Sequence, residues 1–141
     1  MDKPRVGSAL LIADGTRILL GRRGKQPQFG KWVLPGGGIR LFEPIDDAAR
    51  REALEETGLI IDVYRRAGVY EIINEPDEHR IVIYSEARPV GGELVPGSDL
   101  LDVKWFERHE LDRLDLTPLV RLVLQTTGWL PESVDALGQV G

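Results

Sequence analysis

Residues 37–59 place three glutamates at helical spacing directly behind a glycine-rich turn. At ~100° per residue, Glu55 and Glu56 flank Glu52, so all three carboxylates share one helix face. Like charges at this spacing repel one another mildly, and a cation between them removes that repulsion. Mg2+ and Mn2+ suit the position, because hard ions bind carboxylate oxygens and keep coordination positions for phosphate oxygens. The segment therefore predicts a divalent-metal site that faces phosphates.

The same charges also fit a solvated helix that is stabilised by ion pairs. Three acid–base pairs spaced four residues apart support that interpretation: Asp46 with Arg50, Asp47 with Arg51, and Arg51 with Glu55. The glycines at positions 36–38 favour the metal site instead, because glycine lets the backbone approach a ligand closely. A turn that only reverses the chain rarely needs three glycines in a row.

The segment resembles the signature of the Nudix hydrolases. That signature is glycine, five residues, glutamate, seven residues, Arg-Glu, an apolar residue, any residue, Glu-Glu, any residue, glycine and an apolar residue. The chain carries each fixed position at the right spacing: Gly37, Glu43, Arg51, Glu52, Ala53, Glu55, Glu56, Gly58 and Leu59. It departs from many members at Phe42 and Pro44, where they have glycine and serine. Proline suits the first position of a helix, so we expect the helix to start there.

The resemblance implies attack of water on a phosphorus of a nucleoside diphosphate that is linked to another moiety. It implies Mg2+ as cofactor, with Mn2+ as a substitute. The implied metal ligands are the carbonyl of Gly36 and the side chains of Glu52, Glu55 and Glu56. Glu52 is the preferred acceptor of the proton from water, and Arg51 is expected to orient a carboxylate. Glu43 is expected to brace the turn or to reach a second ion.

Two aspartates outside the signature are further candidate metal ligands. Asp99 and Asp102 precede Trp105 by six and three residues, and related proteins often carry an acid at these offsets. We prefer Asp99 as the additional ligand. The alternative for either residue is a loop aspartate that accepts hydrogen bonds from local amides.

Four residues are candidates for substrate binding. Arg22, Arg23 and Arg40 are candidate phosphate contacts, and Phe29 lies in a polar loop where it could stack on a base. A solvated strand end explains the first two arginines equally well. His79 and His109 have no partner at metal-site or triad spacing, and we expect both at the surface.

The pattern of turns predicts a single α+β domain over residues 1–141. Strands are predicted at residues 6–13, 17–20, 32–34, 59–73, 80–87 and 103–106, and helices at residues 45–57, 108–114 and 118–127. Residues 128–141 have little periodicity, and we expect a partly flexible tail there. The resemblance implies the Nudix α/β/α sandwich, with a mixed sheet between helices.

Composition narrows the possible binding partners of the protein and its possible cellular compartment. The net charge of −5 argues against a general nucleic-acid binder, whose phosphate contacts come from clustered Lys and Arg. No apolar run approaches the ~20 residues of a membrane span, and no signal-type segment follows the N-terminus. The absence of cysteine fits a cytoplasmic protein. A homodimer is compatible with the sequence but does not follow from it.

Three functions remain open at this stage. The leading hypothesis is a pyrophosphohydrolase that cuts a nucleoside triphosphate to monophosphate and pyrophosphate, because the segments LLGRR and GKWVLPGGG resemble the MutT-like branch. The alternative is hydrolysis of ADP-ribose or a nucleotide sugar, which Pro76, 17 residues beyond Leu59, favours. A non-catalytic nucleotide-binding regulator is the third, although the complete set of acidic positions favours catalysis.

Overall fold

A computed structural model describes residues 3–132, which form a seven-stranded sheet, two α-helices and one 3-10 helix. The strands are β1 (Arg5–Asp14), β2 (Arg17–Arg23), β3 (Trp32–Val33), β4 (Gly36–Gly38), β5 (Leu59–Asn74), β6 (Glu78–Gly92) and β7 (Leu100–Glu107). The α-helices are α1 (Ile45–Thr57) and α2 (Pro118–Thr126), and the 3-10 helix covers Arg108–Arg113.

The sheet is mixed, and β1 lies at its centre. Its strand order is β3-β2-β1-β6-β5, with β4 paired to the first half of β1 and β7 paired to β2. Only β1 and β6 pair in parallel among these strands, and a parallel pair needs a long crossover connection. The glycine turn and α1 belong to that crossover. They are therefore placed directly beside β1.

Alternate residues of β1 point to opposite faces of the sheet and enter two apolar clusters. On one face, Leu10 and Ile12 pack with Ala49 and Ala53 of α1. On the other face, the cluster contains Leu11 and Tyr84 together with buried α2 residues, Val120, Val123 and Leu124. The sheet is thus covered by one helix on each side, which confirms the predicted α/β/α sandwich.

Helix α1 has the bounds that the sequence predicted. Its buried face consists mainly of small residues, which bring the helix close to the sheet: Ala48, Ala49 and Ala53. The helix ends at Gly58, whose φ of 78° is left-handed and whose N–H donates to Leu54 O at 3.0 Å. The predicted role of Pro44 as first helical residue was wrong. Pro44 has an extended backbone and comes immediately before the helix.

Two predicted strands are longer in the structure, and one predicted helix is a 3-10 helix. Strand β6 extends through Gly91 and Gly92, because these residues pair with Ile60 and Leu59 of β5. Strand β7 begins at Leu100, three residues earlier than predicted, because it pairs with the end of β2. The helical turn after β7 is a 3-10 helix, in which Glu107 and Glu110 form a capping box.

The predicted tail is partly structured. Trp129 and Leu130 are buried, and both backbone N–H groups donate to Leu124 O, at 2.8 and 3.0 Å. This segment therefore packs on the end of α2, and residues 133–141 lie outside the described residues. Within residues 3–132, no helix has both the length and the apolar character that crossing a membrane requires.

Candidate active site

The glycine turn pairs with β1 as strand β4 and presents its other edge to α1. Leu10 N–H donates to Pro35 O at 2.8 Å, and Ile39 N–H donates to Val6 O at 3.0 Å. In an antiparallel pair the polar groups of alternate residues point to opposite sides. The carbonyls of Gly36 and Gly38 therefore point away from β1. The Gly38 carbonyl indeed accepts a bond from Arg51 of α1, at 2.8 Å.

The space available to a side chain differs among the three glycine positions. A Cβ on Gly36 would lie 2.0 Å from the backbone oxygen of Ser8, so this position is closed by strand pairing. A Cβ on Gly37 would lie 2.4 Å from the carboxyl group of Glu52, whereas a Cβ on Gly38 would meet nothing within 4 Å. Gly37 therefore provides the space for a glutamate side chain that is only 9% exposed.

Arg51 holds one side of the site together, which we call the braced side: Glu43, Arg51 and Glu52. Its guanidinium donates to both oxygens of Glu43 at 2.7 and 2.9 Å, and to Glu52 Oε1 at 2.7 Å. The backbone N–H of Arg40 also donates to Glu43, at 3.1 Å. Glu43 thereby links the turn to the helix, which matches the bracing role that we expected of it.

Charge pairing on the braced side shifts two pKa values in opposite directions. Hydrogen bonds from Arg51 and from the backbone of Arg40 lower the pKa of Glu43 to about 2. The bond to Glu43 is also the main reason that the pKa of Arg51 is raised, against the opposing effect of burial. Glu43 and Arg51 are therefore kept as an ion pair, and Glu52 shares the same guanidinium.

The other side of the site, which we call the open side, consists of Glu56 and Asp99. Burial raises the pKa of Glu56, and the negative charges of Asp99, Glu52 and Glu55 raise it further. The segment before β7 packs on the end of α1, because Gly97 N–H donates to Glu56 O at 2.9 Å. That contact brings Asp99 close enough for its charge to act on Glu56, and its role as a metal ligand stays a prediction. Negative charge on this side is only partly balanced.

The side chains form no ready-made metal cage in the conformation described. Among residues 3–132, no three acidic or histidine side chains converge in that way. One reason is visible: Nη1 of Arg51 bridges Glu52 at 2.7 Å and Glu55 at 3.3 Å. The donor set nevertheless fits a hard cation, since it offers carboxylates, a backbone carbonyl that points away from β1, and unbalanced negative charge at Glu56.

Comparison with known proteins assigns the fold and the site to a family. The model of the NUDIX domain matches residues 1–126 of the chain. The chain belongs to the Nudix hydrolase family. Its membership makes it a hydrolase, and the segment from Gly37 to Leu59 is its Nudix box.

Individual Nudix proteins resemble the whole domain. An ADP-ribose pyrophosphatase of Methanocaldococcus jannaschii is 36% identical over 112 residues, which cover 79% of this chain and 66% of that protein. The oxidized purine nucleoside triphosphate hydrolase of Mus musculus is 30% identical over 120 residues, covering 84% of this chain and 76% of that protein. The crystal structure of a MutT NUDIX hydrolase from Burkholderia pseudomallei superposes with a TM-score of 0.77 at 32% identity, covering 88% of this chain and 98% of that one.

At Phe42, where many family members have glycine, the backbone of this chain is left-handed. Phe42 has a φ of 64°, the left-handed conformation that glycine adopts at no steric cost. For a residue with a Cβ this conformation costs roughly 1–2 kcal/mol. The side chain itself is 94% exposed, so packing does not offset the cost.

The predicted substrate residues lie in two places. Arg40 reaches the box, where its guanidinium is 3.8 Å from Glu55. Arg22 and Arg23 instead brace the loop after β2: Arg22 Nε donates to Gly30 O at 3.1 Å and Arg23 Nε donates to Pro27 O at 2.5 Å. Phe29 is exposed at that loop, with no ligand role visible from its packing.

The remaining polar candidates have local partners. Asp102 accepts from the backbone N–H of Val103 at 2.8 Å, which is the local-amide alternative for this residue. His79 lies 3.2 Å from Glu71 on the β5–β6 ribbon, and His109 is exposed after β7. Of the four-residue pairs that fit a solvated helix, Arg51 with Glu55 is present at 3.3 Å, whereas Asp46 faces Arg66 of β5 at 3.5 Å and Asp47 pairs with Arg50 at 3.0 Å.

Sequence reasoning missed Lys25. Its ammonium lies 3.1 Å from Asp99, and its charge acts on Glu56. The only sequence signal was its place in the basic run of residues 23–31, because its partner lies 74 residues further along the chain.

Proposed function

We propose that this Nudix hydrolase cleaves the pyrophosphate bond of a nucleoside diphosphate that is linked to another group, with Mg2+ as its cofactor and Mn2+ as a substitute. The observation that carries the proposal is the Glu52 carboxylate, which is buried against Gly37 and is hydrogen-bonded to Arg51. A buried, oriented carboxylate beside an acidic cluster is suited to cation binding and proton transfer.

The proposed ligands of the cation come from three elements. The box supplies Glu52, Glu55 and Glu56, the loop before β7 supplies Asp99, and the turn supplies the carbonyl of Gly36. When bound, Mg2+ would neutralise charge on the phosphate oxygens and make water more acidic. Oxygen donors of this type are those that Mg2+ prefers.

The protein's own groups have distinct roles in the proposed reaction. A carboxylate oxygen of Glu52 accepts the proton of the attacking water, while Arg51 fixes the direction of that carboxylate through its bond at 2.7 Å. Arg40, at the exposed edge of the box, neutralises charge on the phosphate chain. Arg22 and Arg23 serve the substrate indirectly, since they hold the shape of the loop after β2.

Within this class, we propose a nucleoside triphosphate as substrate, cut to monophosphate and pyrophosphate. The similarity to the mouse triphosphate hydrolase, over 84% of this chain, supports this choice. Pro76, which we had weighed in favour of ADP-ribose, lies in the exposed turn between β5 and β6 and is explained by that turn alone.

Hydrolysis of ADP-ribose is the second candidate, because the archaeal ADP-ribose pyrophosphatase is 36% identical to this chain. Product analysis with Mg2+ on a panel of deoxynucleoside triphosphates, ADP-ribose, NADH and diadenosine polyphosphates separates the candidates. We expect turnover of triphosphates to monophosphate and pyrophosphate. Turnover of ADP-ribose without turnover of triphosphates would reject that choice of substrate.

The Glu52→Gln variant tests the proposed role of Glu52, and Glu71→Gln is its control. Loss of a positioned acid–base group lowers turnover by roughly 10²–10⁴-fold, whereas Glu71→Gln, on the exposed β5–β6 ribbon, should leave turnover unchanged. Hydrolysis that survives Glu52→Gln at full rate would remove Glu52 from its proposed role.

A further inference from the structure

Lys25 is fixed in place by the backbone around it. Gly24 N–H donates to Asp99 O at 2.9 Å, and Arg23 N–H donates to Lys31 O at 2.9 Å, which closes the base of the loop. A Cβ on Gly24 would lie 3.2 Å from the same Asp99 oxygen. The loop after β2 is therefore seated tightly on the segment that carries Asp99.

The Lys25 side chain faces the open side of the site. Its ammonium lies 3.1 Å from Asp99 Oδ1, and both side chains are about half exposed, at 55% and 46%. Its positive charge acts against the neighbouring acids in setting the pKa of Glu56. Lys25 is thus a counter-ion at the edge of the acidic cluster, where it pairs with Asp99 and acts on Glu56.

Exposed ion pairs of this kind contribute little stability, so they can be exchanged at low cost. An ammonium is a compact charge on a flexible stem, and it binds phosphate oxygens well. A divalent cation at Asp99 would displace Lys25, and the phosphate chain of a substrate could then accept its ammonium.

We propose that Lys25 is a substrate-positioning residue that exchanges partners: it neutralises Asp99 in the metal-free protein and binds the phosphate chain once a divalent cation takes Asp99. The inference rests on the proposed function, because it needs a cation at the open side. It assigns Lys25 two opposed effects. The residue competes with the cation for Asp99, and it strengthens binding of the nucleotide.

The test compares Lys25→Met with Lys31→Met, which removes the same charge from the same loop. Mn2+ affinity is measured from the electron paramagnetic resonance signal of free Mn2+. Nucleotide affinity is measured by calorimetry with α,β-methylene-ADP in the presence of Mn2+, because this analogue resists cleavage at its bridge. Neither readout depends on turnover.

We expect Lys25→Met to bind Mn2+ about two- to fivefold more tightly, as loss of an exposed ion pair allows. We expect it to bind the analogue at least about threefold more weakly, as loss of a charged phosphate contact implies. Lys31→Met should change neither affinity. Any other pattern in Lys25→Met overturns the exchange. A wild-type protein that ignores Mn2+ even with the analogue would instead contradict the proposed function.

Discussion

The two sides of the active site hold their carboxylates in opposite electrostatic states. On the braced side, Arg51 donates to Glu43 and Glu52, and the pKa of Glu43 is low. On the open side, Glu56 has acidic neighbours, and its pKa is raised. A carboxylate with a fixed counter-ion stabilises the fold, whereas one without it is suited to accept a cation from solution. The braced side is therefore the rigid part of the site, and the open side is the part that is suited to bind a cation.

Removing the counter-ion of the braced side should have the largest effect. Arg51→Met leaves the side chains of Glu43 and Glu52 without a charge partner, and both are shielded from water. Because the Arg51 side chain is 17% exposed, we expect a loss of about 2 kcal/mol in the free energy of unfolding, below the range for fully buried pairs. Urea titration measures this loss.

Arg50→Met is the matched control for that variant. Arg50 is the neighbouring arginine on the same helix, but its pair with Asp47 is exposed. We expect its unfolding free energy to change by less than about 0.5 kcal/mol. Equal losses in the two variants would show that the braced side has no special stability.

Substitution of the glycines tests how the turn positions the carboxylate of Glu52 on the braced side. Gly37→Ala places a methyl group on the Glu52 carboxyl, so we expect kcat/KM to fall at least about tenfold through misplacement of that group. Gly38→Ala should keep both activity and stability, since its Cβ meets nothing within 4 Å. Neither residue has a positive φ, so backbone strain does not complicate the comparison.

Gly36→Ala separates folding from catalysis in the same turn. Its Cβ would collide with the Ser8 carbonyl, so the expected result is a lower melting temperature. Activity loss in Gly37→Ala that is no greater than in Gly38→Ala would refute the proposed fit between glycine and glutamate.

The pH dependence of stability should distinguish the two sides by sign. The lowered pKa of Glu43 means that its stabilisation is present above its ordinary value of 4.5 and is lost as pH falls towards about 2. Glu43→Gln should therefore destabilise the protein at pH 7. The difference in stability between the variant and wild type should vanish as pH falls from 4.5 to about 2.

Glu56→Gln should behave in the opposite way when metal is chelated. The raised pKa of Glu56 means that its ionised form opposes folding above its folded pKa, and that this penalty is absent below 4.5. The variant should melt higher than wild type at neutral pH and equally at low pH. Thermal unfolding from pH 2 to 8 measures both variants, and shifts of the same sign would contradict the comparison.

Local sequence information predicted one half of this site better than the other. The bounds of α1 follow from helical periodicity and from Gly58, so they were correct. The pair of Asp46 with Arg66 was missed, because packing of the helix on β5 decides it. Lys25 was missed for the same reason, since strand pairing brings its loop to Asp99. The length of β6 depended on its partner strand rather than on its own glycines.

The central claim is that the open side binds a divalent cation, and a Mn2+ titration of wild type and Glu56→Gln tests it most directly. Free Mn2+ is followed by electron paramagnetic resonance, with and without nucleotide. We predict saturable binding in wild type that is weakened at least about tenfold in the variant, as loss of a ligand charge implies. Equal binding in both proteins, or no binding by wild type even with nucleotide, would contradict the account.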